Sequence, residues 1–240
     1  MKHSLFVSDL HLAEERPRIS AIFFEFVRNV AAQAEALYIL GDLFEYWIGD
    51  DGLDEPLNAV VADALGELGA RGVAVHFLHG NRDFLIGRAF AMRARATLIS
   101  DPTMVKLYGT RTLLMHGDTL CTDDVDYQKF RATARDPRFQ QDFLAQPIEA
   151  RRQRVGQLRE LNAQAKEAKS AEIMDVSLAT VEDTLRRSCY PRLIHGHTHR
   201  PARHVHHIDG HACERWVLND WYERGGYLRC DASGCAAFML

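Results

Sequence analysis

The sequence predicts an α/β fold in which a largely parallel sheet is covered by helices. Short apolar runs with the length of buried strands recur through the first half of the chain, at residues 5–7, 36–40, 73–78 and 112–115. Amphipathic stretches at residues 19–34 and 55–70 lie between these runs and are long enough for crossover helices. This alternation of strand and helix is typical of a parallel sheet with helices on its faces.

The second half of the chain predicts a hairpin and, later, antiparallel strands. Tyr108-Gly109-Thr110 lies between two apolar runs, as the turn of a hairpin does. A further strand is predicted at residues 192–195, and residues 205–240 alternate as antiparallel strands do. The turn signals in this last part are Asp209-Gly210, Arg224-Gly225-Gly226 and Ser233-Gly234.

The segment between the hairpin and the strand at residues 192–195 predicts helices, because strand signals are absent from residue 123 to residue 187. The chain of 240 residues has the length of one domain. We therefore expect a single domain over residues 1–240 that carries a helical insertion at residues 123–190.

The composition is that of an ordinary globular protein, with 47% hydrophobic and 26% charged residues. The net charge of −4 argues against a dedicated nucleic-acid-binding protein. No apolar run approaches the length needed to span a bilayer, and the N-terminus lacks a signal-peptide pattern. We expect a cytoplasmic protein that can still touch a membrane surface.

The cysteines predict neither a zinc knuckle nor a disulfide framework, because their number is odd and no C-x-x-C occurs. Reduced thiols are the expectation for a cytoplasmic protein. The five cysteines are Cys121, Cys189, Cys213, Cys230 and Cys235.

Polar side chains with metal-binding chemistry follow the predicted strands, and ligands of such sheets collect at the carboxyl ends of strands. These side chains are Asp9, His11, Asp42, Asn81, His116, His197 and His199. Carboxylate, imidazole and amide ligands without thiolate suit Mn²⁺, Fe²⁺ or Zn²⁺. Seven ligands are too many for one cation and suit two cations that share a bridging carboxylate. Asp9 and His11 are two residues apart, so both face the same side if the strand continues.

The same residues lie in motifs that resemble the five signature blocks of the calcineurin-like metallophosphoesterase superfamily. The motifs are Asp9-x-His11, Gly41-Asp42, Gly80-Asn81-x-Asp83, His116-Gly117-Asp118 and Gly196-His197-x-His199. The resemblance implies an αββα sandwich with a two-metal catalytic site. It implies that Asp9, His11 and His199 hold one metal and that Asn81, His116 and His197 hold the other, with Asp42 as the bridge. His195 lies outside the motif and is expected to be structural or to support a ligand.

Arg82 departs from the superfamily, since many members have histidine at this position. Arginine cannot act as a general acid, because its pKa exceeds about 12, but it can clamp phosphate oxygens. This change fits a leaving group that needs no proton, such as a phosphate released from a pyrophosphate. The alternative is that Arg82 only pairs with Asp83 or with a surface carboxylate.

Longer strings resemble a narrower family, the UDP-2,3-diacylglucosamine pyrophosphatases of Gram-negative lipid A synthesis. They are residues 38–51, 79–85, 115–124 and 194–201. The resemblance implies hydrolysis of UDP-2,3-diacylglucosamine at the α-phosphate, which yields UMP and 2,3-diacylglucosamine 1-phosphate (lipid X). It implies two Mn²⁺ ions per chain rather than Mg²⁺, Fe²⁺ or Zn²⁺. A soluble nucleotide pyrophosphatase, a dinucleoside-polyphosphate hydrolase and a metal-free binding scaffold are the alternatives.

In this narrower family the helical insertion is a cap over the active site that binds the two acyl chains. The resemblance implies that Asp124, Asn162, Lys166 and Lys169 touch the sugar and phosphate, together with Asn81, Arg82 and His197. Many relatives have serine where this chain has Asn162. Residues 151–169 are basic and could contact anionic lipid, so we expect peripheral association with the cytoplasmic face of the inner membrane. We also expect a monomer.

Overall fold

The computed structural model describes residues 2–168 and 175–240, and the side chains of all of these except residues 159–168. The strands are β1 (His3–Val7), β2 (Ala36–Ile39), β3 (Ala74–Leu78), β4 (Ala96–Ile99), β5 (Thr103–Leu107), β6 (Thr110–Leu114), β7 (Arg192–His195), β8 (Ala202–Ile208), β9 (His211–Val217), β10 (Gly226–Asp231) and β11 (Gly234–Met239). The helices are α1 (Pro17–Glu25), α2 (Pro56–Ala70), α3 (Arg88–Arg93), α4 (Val125–Ala134), α5 (Pro137–Leu144), α6 (Ile148–Ala168) and α7 (Leu178–Arg187).

The first sheet has the strand order β11-β10-β1-β2-β3-β4. Strands β1 to β4 are parallel to one another, and β10 joins them antiparallel to β1. The chain returns between the parallel strands through α1, α2 and α3, as crossover connections require. The predicted parallel sheet covered by helices is therefore confirmed.

The second sheet has the strand order β5-β6-β7-β9-β8. Strands β6, β7 and β9 are parallel, and the β5–β6 and β8–β9 hairpins form its two edges. The hairpin around Tyr108-Gly109-Thr110 is confirmed, as are the turns that follow residues 208 and 231. The C-terminal strands thus divide between the two sheets, with β8 and β9 in the second and β10 and β11 in the first.

Three layers of buried side chains hold an αββα sandwich together. Between the helices and the first sheet, Phe23 of α1 and Leu65 of α2 are buried in one cluster with Leu37. Between the two sheets, Phe6 and Ile194 belong to a second cluster. The predicted fold is therefore the one observed.

Helix α7 provides the outer layer on the second sheet. Its Val181 and Leu185 are fully buried with Leu113 and Leu193 of that sheet. Burial of each such side chain contributes about 1.5–3 kcal/mol. Helices α4, α5 and α6 precede α7 in the segment where the sequence predicts helices, and none of the helices described is long and apolar enough to cross a bilayer.

Strand β4 and helix α3 were not anticipated from the sequence. Helix α3 is only six residues long, and β4 is an edge strand whose side chains are half-buried or exposed. Neither carries a clear apolar periodicity. The predicted helix at residues 19–34 is α-helical only to Glu25, and the chain continues as a π-helical turn over Phe26–Val30.

The expectation of reduced cysteines is wrong for one pair, because Cys230 and Cys235 form a disulfide bond. The two residues lie directly opposite each other on β10 and β11. Residues so placed in an antiparallel pair have Cα atoms only about 4.5–5.5 Å apart, which brings the two sulfur atoms within reach. Cys121, Cys189 and Cys213 are free thiols.

Candidate metal centre and active site

Loops that follow five strands bring the seven predicted ligands together. Asp9 and His11 follow β1, Asp42 follows β2, Asn81 follows β3, His116 follows β6, and His197 and His199 follow β7. Backbone hydrogen bonds join these loops: the Asp9 amide donates to the Gly41 carbonyl, and the Gly196 amide donates to the His116 carbonyl. The carboxyl ends of strands from both sheets therefore meet at one place.

The first group of ligands contains Asp9, His11 and His199. The Nε2 atoms of His11 and His199 lie 3.4 Å apart, and His199 Nε2 lies 3.4 Å from Asp9 Oδ1. Ligands of a tetrahedral cation are about 3.4 Å apart, since metal–nitrogen distances are about 2.0–2.1 Å. These three atoms therefore have the spacing of ligands around one cation.

The second group contains Asn81, His116 and His197. Asn81 Oδ1 lies 2.9 Å from both His116 Nε2 and His197 Nδ1. The resemblance to the metallophosphoesterase superfamily implies the same division of the ligands into two groups.

Asp42 lies between the two groups. Its Oδ2 atom is 3.8 Å from His11 Nε2 in the first group and 3.8 Å from His116 Nε2 in the second. Its other oxygen, Oδ1, accepts a hydrogen bond of 2.8 Å from the Arg82 amide. One carboxylate oxygen thus faces both groups, as a bridging ligand requires.

Five of the seven ligand residues have left-handed backbone conformations. Asp9, His11, Asp42, His197 and His199 have φ angles between 49° and 71°. Strand β1 ends at Val7 and does not continue through Asp9-x-His11, so the condition under which the sequence predicted that both side chains face the same side is not met. Non-glycine residues in this region cost free energy and concentrate at functional sites.

Two glycines allow the loops to approach closely. A Cβ atom on Gly41, whose φ is 89°, would lie 2.4 Å from the Cα of Gly80. A Cβ atom on Gly80 would lie 2.0 Å from Asp42 Oδ1. Both positions therefore require glycine.

Asp83 fastens the loop of Asn81 to the loop of Asp42. Its buried carboxylate accepts hydrogen bonds from the amides of Leu43 (2.7 Å), Gly80 (2.9 Å) and Asp42 (3.2 Å). Burial, with the charge of Asp42, raises the pKa of Asp83 to about 7. Asp83 is therefore occupied by backbone donors and does not pair with Arg82.

Neighbouring groups orient the histidine ligands. His116 Nδ1 donates to the Leu40 carbonyl at 2.9 Å, which leaves Nε2 free to bind a metal. Glu45 Oε2 lies 3.1 Å from His11 Nδ1, and Asp220 Oδ2 lies 3.7 Å from His199 Nδ1. Carboxylates behind metal-binding histidines fix the ring and increase its basicity.

The electrostatics of the centre favour added positive charge. Burial would lower the pKa of His116, but the charges of Asp42 and Asp118 raise it to about 9. Burial would raise the pKa of Asp9, but His199 and the charge of His116 hold that pKa well below its usual range. The raised pKa of His116 means that a bound proton supplies positive charge beside these carboxylates. Divalent cations would supply this positive charge in place of the proton, so the residues fit a pair of metal ions.

Arg82 lines the same cavity as the ligands, next to Asn81. Its guanidinium takes part in no ion pair with the residues that the structure describes, and its Nε is buried without a hydrogen-bond partner. The alternative that Arg82 pairs with Asp83 or a surface carboxylate does not hold within the described residues. Its guanidinium is available for an anion in the cavity.

An apolar cavity of about 340 Å³ opens from the metal centre toward α4, α5 and α6. The ligands His11, Asp42, Asn81, His197 and His199 form one end of it. Its apolar and aromatic lining consists of Tyr46, Trp47, Phe84, Leu85, Cys121, Tyr127, Phe130, Ala134, Phe139, Phe143, Val155 and Leu158. The other polar side chains that line it are Glu45, Arg82, Asp124, Gln140, Arg154, Thr198 and Arg200.

Two sets of hydrogen bonds join α4 and the residue that follows it to the loops that carry the ligands. Asp118, two residues after His116, accepts from Tyr127 Oη at 2.8 Å and from Arg131 Nε at 2.6 Å. Arg135 donates to the Gly80 carbonyl at 2.8 Å. Helix α4 is therefore fixed to both sides of the metal centre.

The predicted substrate contacts are only partly within the described residues. Asp124 lines the cavity and caps α4 by accepting from the Tyr127 amide at 3.1 Å. The side chains of Asn162 and Lys166, and the whole of Lys169, lie outside the described residues. His195 is buried behind the ligands, where its Nδ1 donates to the Gly196 carbonyl at 2.9 Å and its Nε2 accepts from Arg215.

Sequence reasoning missed Tyr222, whose ring packs against His11 and His199 with centroid distances of 5.3 and 5.2 Å. Burial, with the charge of Glu45, raises its pKa to about 12. Tyr222 lies in the loop between β9 and β10, far from every motif, so no local signal identifies it.

The chain matches the model of the calcineurin-like phosphoesterase family over residues 3–201, and it belongs to that family. It is accordingly a metal-dependent hydrolase with a two-metal centre. It is similar over nearly its whole length to proteins named UDP-2,3-diacylglucosamine hydrolase. That of Aromatoleum aromaticum is 52% identical over 231 residues, which cover 96% of this chain and 94% of the relative. That of Xanthomonas axonopodis pv. citri is 51% identical over 244 residues, with coverage of 99% and 98%.

Proposed function

We propose that the chain hydrolyses the pyrophosphate bond of UDP-2,3-diacylglucosamine at the α-phosphate, in lipid A synthesis. UMP and 2,3-diacylglucosamine 1-phosphate are the products. The observation that carries this proposal is the continuity between the metal centre and the apolar cavity of α4, α5 and α6. The part of the cavity against α4, α5 and α6 is lined mainly by apolar and aromatic side chains, and acyl chains need such a lining. The names of the similar proteins support the same substrate.

The two ligand groups would hold the cations, with Asp9, His11 and His199 at one, Asn81, His116 and His197 at the other, and Asp42 shared. Cations bound there would polarise phosphoryl oxygens and lower the pKa of the attacking water. Mn²⁺ is the ion that we propose, because the resemblance to the UDP-2,3-diacylglucosamine pyrophosphatases implies it and the oxygen and nitrogen ligands without thiolate are compatible with it.

Arg82 would bind the phosphate that leaves with the lipid. Hydrolysis at the α-phosphate releases a sugar 1-phosphate, whose pKa is low enough that it needs no proton from the enzyme. A guanidinium can hold two phosphate oxygens at once and stabilise the charge that develops on them. The guanidinium lies beside Asn81 and forms no ion pair with the part of the chain that the structure describes, which supports this role.

Helices α4 to α6 would form the cap that binds the acyl chains, within the proposed insertion at residues 123–190 of a single domain over residues 1–240. Each methylene group buried in the cavity would contribute about 0.8 kcal/mol. Asp124 at the start of α4, with Asn162, Lys166 and Lys169, would bind the polar head at the mouth of the cavity.

We also propose that the protein contacts anionic lipid peripherally at the cytoplasmic face of the inner membrane. We propose that it is a monomer and that it does not bind nucleic acid. The structure limits which basic residues of α6 could contact the membrane. Arg151 is 1% exposed and pairs with Asp51, and Arg152 pairs with Glu55 at 2.6 Å. These two arginines fasten α6 to the core, so lipid contact would depend on residues nearer the end of that helix.

A substrate comparison tests the function. Purified protein with Mn²⁺ would be given UDP-2,3-diacylglucosamine, UDP-N-acetylglucosamine and diadenosine tetraphosphate, with Asp42→Ala as a control for contaminating activity. We expect turnover of the lipid at a kcat/KM at least about a hundredfold above the others, as two buried acyl chains would give. Faster turnover of either soluble substrate would overturn the lipid assignment.

A further inference from the structure

A second cavity, of about 550 Å³, lies beside the metal centre. It is formed by the loop that enters α1 and by the loop between β9 and β10. Its lining residues are Glu15, Arg16, Pro17, Arg18, Ile19, Tyr222, Glu223 and Arg224. None of these described residues also lines the apolar cavity. We refer to this second cavity as the polar groove.

The Tyr222 ring separates the polar groove from the metal ligands. One side of the residue packs against His11 and His199, and 46% of its surface remains exposed. Arg16 holds this wall in place: its guanidinium lies 4.8 Å from the Tyr222 ring and donates to the carbonyls of His11 (2.9 Å) and Trp221 (2.8 Å). The groove therefore begins one aromatic ring away from the cations' ligands.

The proposed substrate has two halves that need different surroundings. The acyl chains and their sugar phosphate leave the α-phosphorus toward the apolar cavity, where Arg82 lies. The uridine stays attached to the same phosphorus and carries carbonyl groups, an N–H group and ribose hydroxyls. The apolar and aromatic side chains that α4, α5 and α6 contribute to the apolar cavity offer these polar groups few hydrogen-bond partners, and burial without partners is costly.

We propose that the polar groove binds the uridine half of the substrate, and that this half reaches the groove past the Tyr222 ring. This inference rests on the proposed function and adds the site of the nucleoside. Arg18 and Arg224 form no ion pair with the residues that the structure describes, so their guanidinium groups can donate to the uracil carbonyls. Glu15 and Glu223 can accept from the ribose hydroxyls. Donors and acceptors together suit a neutral nucleoside better than a purely anionic group.

The two reaction products allow each half to be tested separately. The dissociation constants of UMP and of 2,3-diacylglucosamine 1-phosphate would be measured by calorimetry on the Mn²⁺-loaded protein. The variants are Arg18→Ala with Arg224→Ala and, as a matched control, Arg71→Ala, an exposed arginine in a different groove. Metal content would be measured for each variant, because Tyr222 and Arg16 contact the ligand loops.

We expect the double variant to bind UMP at least about tenfold more weakly, because the loss of even one hydrogen bond to a charged group corresponds to about a tenfold change in affinity. Its affinity for the lipid product and its metal content should match those of the parent and of Arg71→Ala. Unchanged UMP affinity, or equal weakening of both products, would overturn the inference. Absence of UMP binding by the parent would do the same, whereas UMP binding without lipid turnover would contradict only the proposed function.

Discussion

Replacing Asp83 by alanine should destabilise the protein and weaken its metal centre together. The carboxylate is fully buried and accepts from the amides of Gly80, Asp42 and Leu43 at 2.7–3.2 Å. Asp83→Ala leaves three buried donors without partners, at about 1–3 kcal/mol each. Burial of the carboxylate is itself costly, as its raised pKa of about 7 shows, so the net loss should lie near the lower end, about 3 kcal/mol.

Thermal unfolding measures this loss. For a chain of this size, 1 kcal/mol corresponds to about 2–4 °C, so Tm should fall by about 6–12 °C. Asp63→Ala is the matched control, because Asp63 is exposed and, among the residues that the structure describes, pairs only with Arg93 at 2.6 Å. Added Mn²⁺ should raise the Tm of the parent more than that of Asp83→Ala. A Tm within 2 °C or so of the control would refute the view that Asp83 joins the two ligand loops.

Three further predictions concern the chemistry and the cap. Asp42→Ala should abolish turnover rather than raise KM, since Asp42 Oδ2 faces both ligand groups; parent-like rates, or activity after exhaustive chelation, would contradict this. Arg82→Ala should lower kcat/KM about thirty- to a thousandfold, which corresponds to a loss of about 2–4 kcal/mol of transition-state stabilisation; a parent rate in this variant would make the residue structural. Arg82→His should gain activity on alkyl phosphodiesters, because their leaving group needs an acid. Lys166→Ala with Lys169→Ala should lower kcat/KM for the lipid and leave kcat/KM for a small chromogenic phosphodiester nearly unchanged. An unchanged ratio of the two kcat/KM values would count against the proposal that the cap binds the lipid.

The sequence identifies the candidate ligands because each follows an apolar run at a strand end. Parallel strands bring such positions together, so Asp9, Asp42 and Asn81 could be assigned to one site without coordinates. Their local conformation could not be assigned. The left-handed backbone of Asp9 and His11 depends on hydrogen bonds from their amides to the Gly41 and Asp42 carbonyls, which are distant in sequence.

Residues that support the site were less accessible to sequence reasoning. Tyr222 and Asp220 reach the ligands from the loop between β9 and β10, and Arg135 reaches the Gly80 carbonyl from α4. Each of these contacts depends on tertiary packing and leaves no periodic or motif signal. The Cys230–Cys235 bond escaped for the same reason, because it depends on the register of β10 and β11.

The position of the attacked phosphorus tests the central proposal most directly. The protein would hydrolyse UDP-2,3-diacylglucosamine in water enriched in ¹⁸O, and mass spectrometry would locate the label in the products. Attack at the α-phosphate predicts one ¹⁸O atom in UMP and none in 2,3-diacylglucosamine 1-phosphate. Label in the lipid product instead would mean attack at the other phosphorus, and the role proposed for Arg82 on the leaving phosphate would be wrong.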